Sequence, residues 1–136
     1  MVLKFKLHIG SLSVDSPGRY YTTLHYHFHL DCGGNLTYYP GEKPGGAFST
    51  PNYPEKYQEK IQQLCDWYIT VAPSRKVSLF FSHFEVEGDQ GTRGCANAVV
   101  RIWIDPMHDR PVELCGDKLE KEQRAYISVG NVLRVM

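Results

Sequence analysis

Cys65-Asp66-Trp67-Tyr68-Ile69-Thr70-Val71 alternates its residue types strictly, with Cys65, Trp67, Ile69 and Val71 on one side and Asp66, Tyr68 and Thr70 on the other. Successive side chains of an extended chain point to opposite faces, so this stretch reads as a half-buried β-strand. Lys76–Phe84 repeats the pattern with Val77, Leu79 and Phe81 inward, and Pro73-Ser74-Arg75 supplies the turn between the two. Val100, Ile102 and Ile104 form a third alternating run closed by Asp105-Pro106, and Leu133 and Val135 begin another.

Around these strands the sequence is built of turns. Residues 40–54 are dense in Gly and Pro, which breaks helices and leaves room for a very short strand at Ala47–Thr50. Glu55–Leu64 alone has helical spacing, through Tyr57, Ile61 and Leu64, and gives a few turns at most. Short strands separated by turn signals describe an all-β sandwich of two antiparallel sheets.

The chain has 136 residues, 42% of them hydrophobic and 22% charged, enough for one core and too few for two ordinary domains. Fifteen basic residues balance fifteen acidic ones, which disfavours a nucleic-acid partner. No apolar run is long enough to span a bilayer. The opening Met1–Gly10 mixes charge with its hydrophobic residues, unlike the uninterrupted apolar stretch of a signal peptide. Cys32, Cys65, Cys95 and Cys115 contain no C-x-x-C pair, which points to two disulfides and an oxidising compartment. Spacing alone leaves all three pairings open. Asn35-Leu36-Thr37 is an N-glycosylation sequon.

Cys32-Gly-Gly, then Gly46-Ala-Phe-Ser-Thr-Pro-Asn-Tyr-Pro54, then Cys65-Asp-Trp-Tyr-Ile resemble the opening of a CUB domain. Val77–Glu87, Cys95, Leu114-Cys115-Gly116 and Ser128-Val-Gly-Asn-Val-Leu133 match that family's later landmarks in order. The resemblance covers residues 32–136 and implies a jelly-roll-like sandwich with disulfides Cys32–Cys65 and Cys95–Cys115. It further implies an extracellular module, secreted or part of a membrane protein's ectodomain, that binds a protein ligand and is not an enzyme. Two alternatives accompany that expectation: the noncatalytic exosite of a secreted protease, and a carbohydrate-binding module. The family closes with a further strand, whereas this sequence stops at Met136, so the domain is expected to be incomplete at its C-terminus. Residues 1–31 fall outside the match, receive no fold, and are expected to be poorly ordered.

Many members of the family hold calcium with one glutamate, an aspartate three residues after the third cysteine, and a late aspartate. Glu87 stands at the glutamate position, Ala98 replaces the aspartate, and the late residue has no counterpart. Calcium needs about 6–8 oxygen ligands, so Glu87 is a weak candidate even with Glu85 and Asp89 nearby, and no cofactor is expected. His25, His27 and His29 would share one strand face at zinc-chelating spacing, but nothing nearby fixes their rings, and they read as a polar face. Ser82 and His83 are expected on opposite faces of their strand, which disfavours a nucleophile and base. Glu85 and Glu87 share a face and read as solvated carboxylates. Tyr38, Tyr39, Tyr53, Tyr57 and Tyr68 suit either a recognition surface or core packing.

Overall fold

The computed structural model describes residues 2–10, 33–38, 45–51, 53–55, 64–91 and 94–136. Nine strands occupy them: β1 Val2–Gly10, β2 Gly33–Thr37, β3 Gly46–Ser49, β4 Asp66–Thr70, β5 Lys76–Glu85, β6 Val100–Trp103, β7 Val112–Leu114, β8 Ala125–Ile127 and β9 Val132–Val135. A single 3₁₀ turn at Lys121–Gln123 precedes β8. The strands form two sheets, one in the order β3-β1-β5-β8 and one in the order β2-β4-β9-β6-β7.

Alternation builds the core. Trp67 and Ile69 of β4, Val100 and Ile102 of β6, and Leu133 and Val135 of β9 are buried from one sheet. Val77, Leu79 and Phe81 of β5 meet them from the other. Four strands expected from periodicity, β4, β5, β6 and β9, are present at close to the expected positions, as is the short β3. All ladders are antiparallel except β2 with β4, which runs parallel in the register Gly33↔Asp66 to Thr37↔Thr70. That close pairing explains Gly33: its φ is +93°, and a Cβ there would lie 2.5 Å from the Asp66 carbonyl oxygen. The helical candidate at 55–64 lies almost wholly outside the described residues.

The treatment of residues 1–31 as a segment without a fold needs correction for Val2–Gly10. This segment is strand β1, and it lies between β3 and β5, antiparallel to both. The physical reason is in its sequence: Leu3, Phe5, Leu7 and Ile9 alternate with Lys4, Lys6 and His8, and charges interspersed at period two define a strand.

The β1–β5 register shifts between Lys4 and Phe5, where Lys4 pairs with His83 and Phe5 with Phe81, so Ser82 is the extra residue of a bulge. The alternation of β5 breaks there. Ser82 and His83 are both exposed, against the expectation of opposite faces. Beyond the bulge Phe84 turns back to meet Phe81 edge-on, with ring centroids 5.1 Å apart.

The loops are tied to the sheets by a few polar contacts. Buried Ser128 accepts a hydrogen bond from the Val77 N–H at 2.8 Å and donates to the Gly130 carbonyl at 2.6 Å. Asn131 donates from Nδ2 to the Val71 carbonyl, joining the turn before β9 to the turn after β4. Tyr126 packs its ring edge-on to Phe81, and burial pushes its phenol pKa above 10.0. A raised folded-state pKa stabilises fully below the unfolded value and is lost as pH climbs through the folded one. Stability is therefore expected to fall above pH 10 more steeply in the wild type than in Tyr126→Phe, as read from thermal unfolding across that range. Matching profiles for the two proteins would contradict the assignment.

Candidate recognition surface

The outward-facing residues of the five-stranded sheet fall into one row. Asn35 of β2 pairs with Tyr68 of β4, Tyr68 with Arg134 of β9, and Arg134 with Trp103 of β6. The two central members alternate with buried neighbours: Tyr68 lies between Trp67 and Ile69, Arg134 between Leu133 and Val135. An amide, a phenol, a guanidinium and an indole thus cross four strands on the face turned away from the core.

Arg134 organises the row. Its Nε donates to Asp66 Oδ1 at 2.9 Å and its Nη2 to Asp66 Oδ2 at 2.7 Å, the two-pronged geometry that matches guanidinium to carboxylate. Its guanidinium carbon lies 4.5 Å from the Trp103 ring centroid and 5.0 Å from that of Tyr68. The hydrogen bond to Asp66 raises the Arg134 pKa further, so the group stays charged at every pH the protein meets. Side-chain exposure of 26% for Arg134 and 31% for Asp66 leaves this pair largely in reach of water. At such sites an ion pair contributes about 0–1 kcal/mol and a cation–π contact roughly 0.5–1 kcal/mol. The arrangement therefore adds little stability and mainly fixes the positions of side chains that a partner can reach. Arg101 and Glu113 extend the face toward β7 through a 2.7 Å ion pair.

The residues singled out from sequence fall elsewhere, apart from Tyr68 and Asn35. Glu87 is exposed, and its Oε1 accepts a hydrogen bond from Asn97 Nδ2 at 3.3 Å. Ala98 is half-buried against the core and brings no side-chain oxygen. Asp89 caps its own turn by accepting the Gly91 N–H at 2.8 Å. His83 Nε2 lies 3.9 Å from Glu85 Oε2 at the surface, and its ring meets that of Tyr53 edge-on. Tyr38 is half-buried against the core. Tyr39, Tyr57, His25, His27 and His29 lie outside the described residues.

Cys95 and Cys115 form a disulfide. Cys65 is disulfide-bonded too, while Cys32, the partner its resemblance assigns, lies outside the described residues. A shallow groove beside Cys115 is lined by Gly88, Asp89, Gln90, Asp117, Lys118 and Gln123. Gln90 and Gln123 close it with an amide hydrogen bond of 2.9 Å.

Arg134 and Trp103 were missed as site residues. Both lie in alternating strands, where the outward positions are identifiable, but which outward residues become neighbours depends on pairing between strands far apart in sequence.

Comparison with known proteins fits this architecture. Human tumor necrosis factor-inducible gene 6 protein is 31% identical over 105 residues, 76% of this chain and 33% of that protein. Human procollagen C-endopeptidase enhancer 1 is 33% identical over 90 residues, covering 65% of this chain and 18% of the relative. Human Tolloid-like protein 1 is 32% identical over 78 residues, 56% of this chain and 7% of its own length. The chain thus spans a third or less of these relatives. The family model for the CUB domain matches residues 32–135, and the chain, with its two packed sheets and its Cys95–Cys115 bridge, belongs to the CUB domain family.

Proposed function

We propose that this chain is an extracellular protein-interaction module of a larger secreted or membrane protein, and that the row Tyr68–Arg134–Trp103 is its contact face. The observation that carries the reading is Arg134 held between two aromatic rings on an outward sheet face. Trp, Tyr and Arg are the residues that dominate binding energy at protein interfaces. Here they are already locked by Asp66 and by each other, so a partner does not have to immobilise them on binding. The Cys95–Cys115 bridge supports an oxidising, extracellular setting. Among the described residues no helix is long and apolar enough to cross a membrane.

Three relatives are named as enhancers of procollagen C-endopeptidase, and by that likeness a second reading makes the chain a noncatalytic module that assists a secreted protease. The test is to probe a library of secreted and cell-surface ectodomains, with a glycan array alongside. Binding to an ectodomain that survives removal of the ectodomain's glycans supports protein recognition. Binding confined to the glycan array would replace it with carbohydrate recognition.

Calcium enters neither reading. With a methyl group at Ala98 and the Glu87 carboxylate engaged by Asn97, affinity no tighter than roughly millimolar is expected in a calorimetric titration. A micromolar dissociation constant would show that Glu85, Asp89 or another oxygen supplies the missing ligands.

A further inference from the structure

The row has a fourth member whose chemistry differs from the rest. Asn35 stands at its end on β2, the edge strand of the five-stranded sheet, and is the acceptor of an Asn-Leu-Thr sequon. Asn35 and Thr37 are both exposed, and their i, i+2 spacing on a strand puts them on the same face. An acceptor amide and its hydroxyl partner are thus presented together on extended backbone. The paired residue across the ladder is Tyr68, with side chains starting roughly 5 Å apart as is usual for facing strand neighbours. Tyr68 is 37% exposed, and Arg134 sits over its ring from the β9 side. Because β4 lies between β2 and β9, Asn35 and Arg134 flank Tyr68 from opposite sides.

We propose that Asn35 carries an N-linked glycan whose first sugar packs against Tyr68, completing the row on the β2 side. The C–H groups on one face of a pyranose ring are an apolar surface, and an aromatic face is their natural partner. The phenol of Tyr68 then has Arg134 on one side and the sugar on the other. A second consequence concerns the edge. Among the described residues β2 pairs with β4 alone, and an edge strand is open to pairing with another chain unless something covers it. A glycan on Asn35 covers it with a bulky hydrated group. This proposal does not depend on the other end of the row binding a protein, and its test measures occupancy and stability only.

The whole chain is to be secreted from mammalian cells behind a heterologous signal sequence, as wild type, Thr37→Ala, Tyr68→Ser and the double variant. Peptide mass spectrometry should find Asn35 glycosylated in the wild type and bare in Thr37→Ala; a bare wild-type Asn35 overturns the proposal. Loss of the sequon should lower Tm by about 3 °C when Tyr68 is present and leave it unchanged in the Tyr68→Ser background, a coupling that only contact between the two sites produces. Equal drops in both backgrounds overturn the sugar–ring contact. Tyr68→Phe, which keeps the ring, should keep the glycan's contribution, and trimming the glycan to its first sugar should keep it too. Loss of the contribution in either case overturns the proposal.

Discussion

Deleting residues 1–10 is expected to remove cooperative folding of the sandwich at physiological temperature. β1 pairs nine residues with β5 and four with β3, and β3 has no other described ladder. A ladder hydrogen bond contributes about 0.5 kcal/mol net at the low end of measured values, so losing both ladders costs on the order of 5 kcal/mol. Small domains are stable by only about 5–15 kcal/mol in total. The deletion should also open the β5 edge, one of the longest strands in the molecule, to pairing with other chains, and aggregation should accompany the loss of structure. Thermal unfolding by circular dichroism, with light scattering alongside, reads both effects. A deletion variant that unfolds at the wild-type temperature and stays monomeric would remove β1 from the sandwich.

The second large effect is expected at the Cys95–Cys115 bridge. It closes a loop with a sequence separation of 20, for which chain entropy predicts a stabilisation of about 3 kcal/mol. Packing adds to that figure, because Cys115 is buried and its Sγ lies 3.1 Å from where a Cβ on Gly88 would stand. Replacing both cysteines with alanine should shift the midpoint of chemical unfolding by the equivalent of about 3–4 kcal/mol, and replacing one should do as much or more while leaving a reactive thiol. A loss below about 1 kcal/mol would mean that the unfolded chain gains little freedom when the bridge is absent. Peptide mapping without reductant completes the test, with Cys32–Cys65 as the expected second linkage.

What could be read from sequence follows from how each element is specified. β4, β5, β6 and β9 declare themselves, because their buried faces impose alternation over enough residues to be seen. β7 and β8 are only three residues each, Val112–Leu114 and Ala125–Ile127, too short for a period to register. They exist because β6 and β5 offer ladders to them. β2 opens on Gly33-Gly34, which have no side chains to show a period yet allow β2 to lie close against Asp66. β1 is legible in the alternation of Leu3, Phe5, Leu7 and Ile9 with Lys4, Lys6 and His8.

The candidate surface was legible in part. Tyr68 is one of five tyrosines suited to either a surface or the core, and Asn35 lies in a sequon, but no local rule joins them to Arg134 and Trp103. Positions 35, 68, 103 and 134 become neighbours only through three separate ladders, one of them parallel. The bulge at Ser82 was beyond reach for the same reason, being a property of the β1–β5 pairing rather than of β5.

The claim that the outer face of the five-stranded sheet is the recognition surface is tested most directly by the affinity of an ectodomain partner for point variants on opposite sides of the sandwich. Trp103→Ala and Arg134→Ala remove large contact residues from the row, whereas Ile127→Ser removes a 58%-exposed apolar side chain from β8 in the other sheet. Surface plasmon resonance should show each row variant weakening binding by roughly tenfold or more, the effect of losing about 1.4 kcal/mol or more at a central contact, with Ile127→Ser unchanged. Undiminished binding by both row variants, or a loss confined to Ile127→Ser, would contradict it.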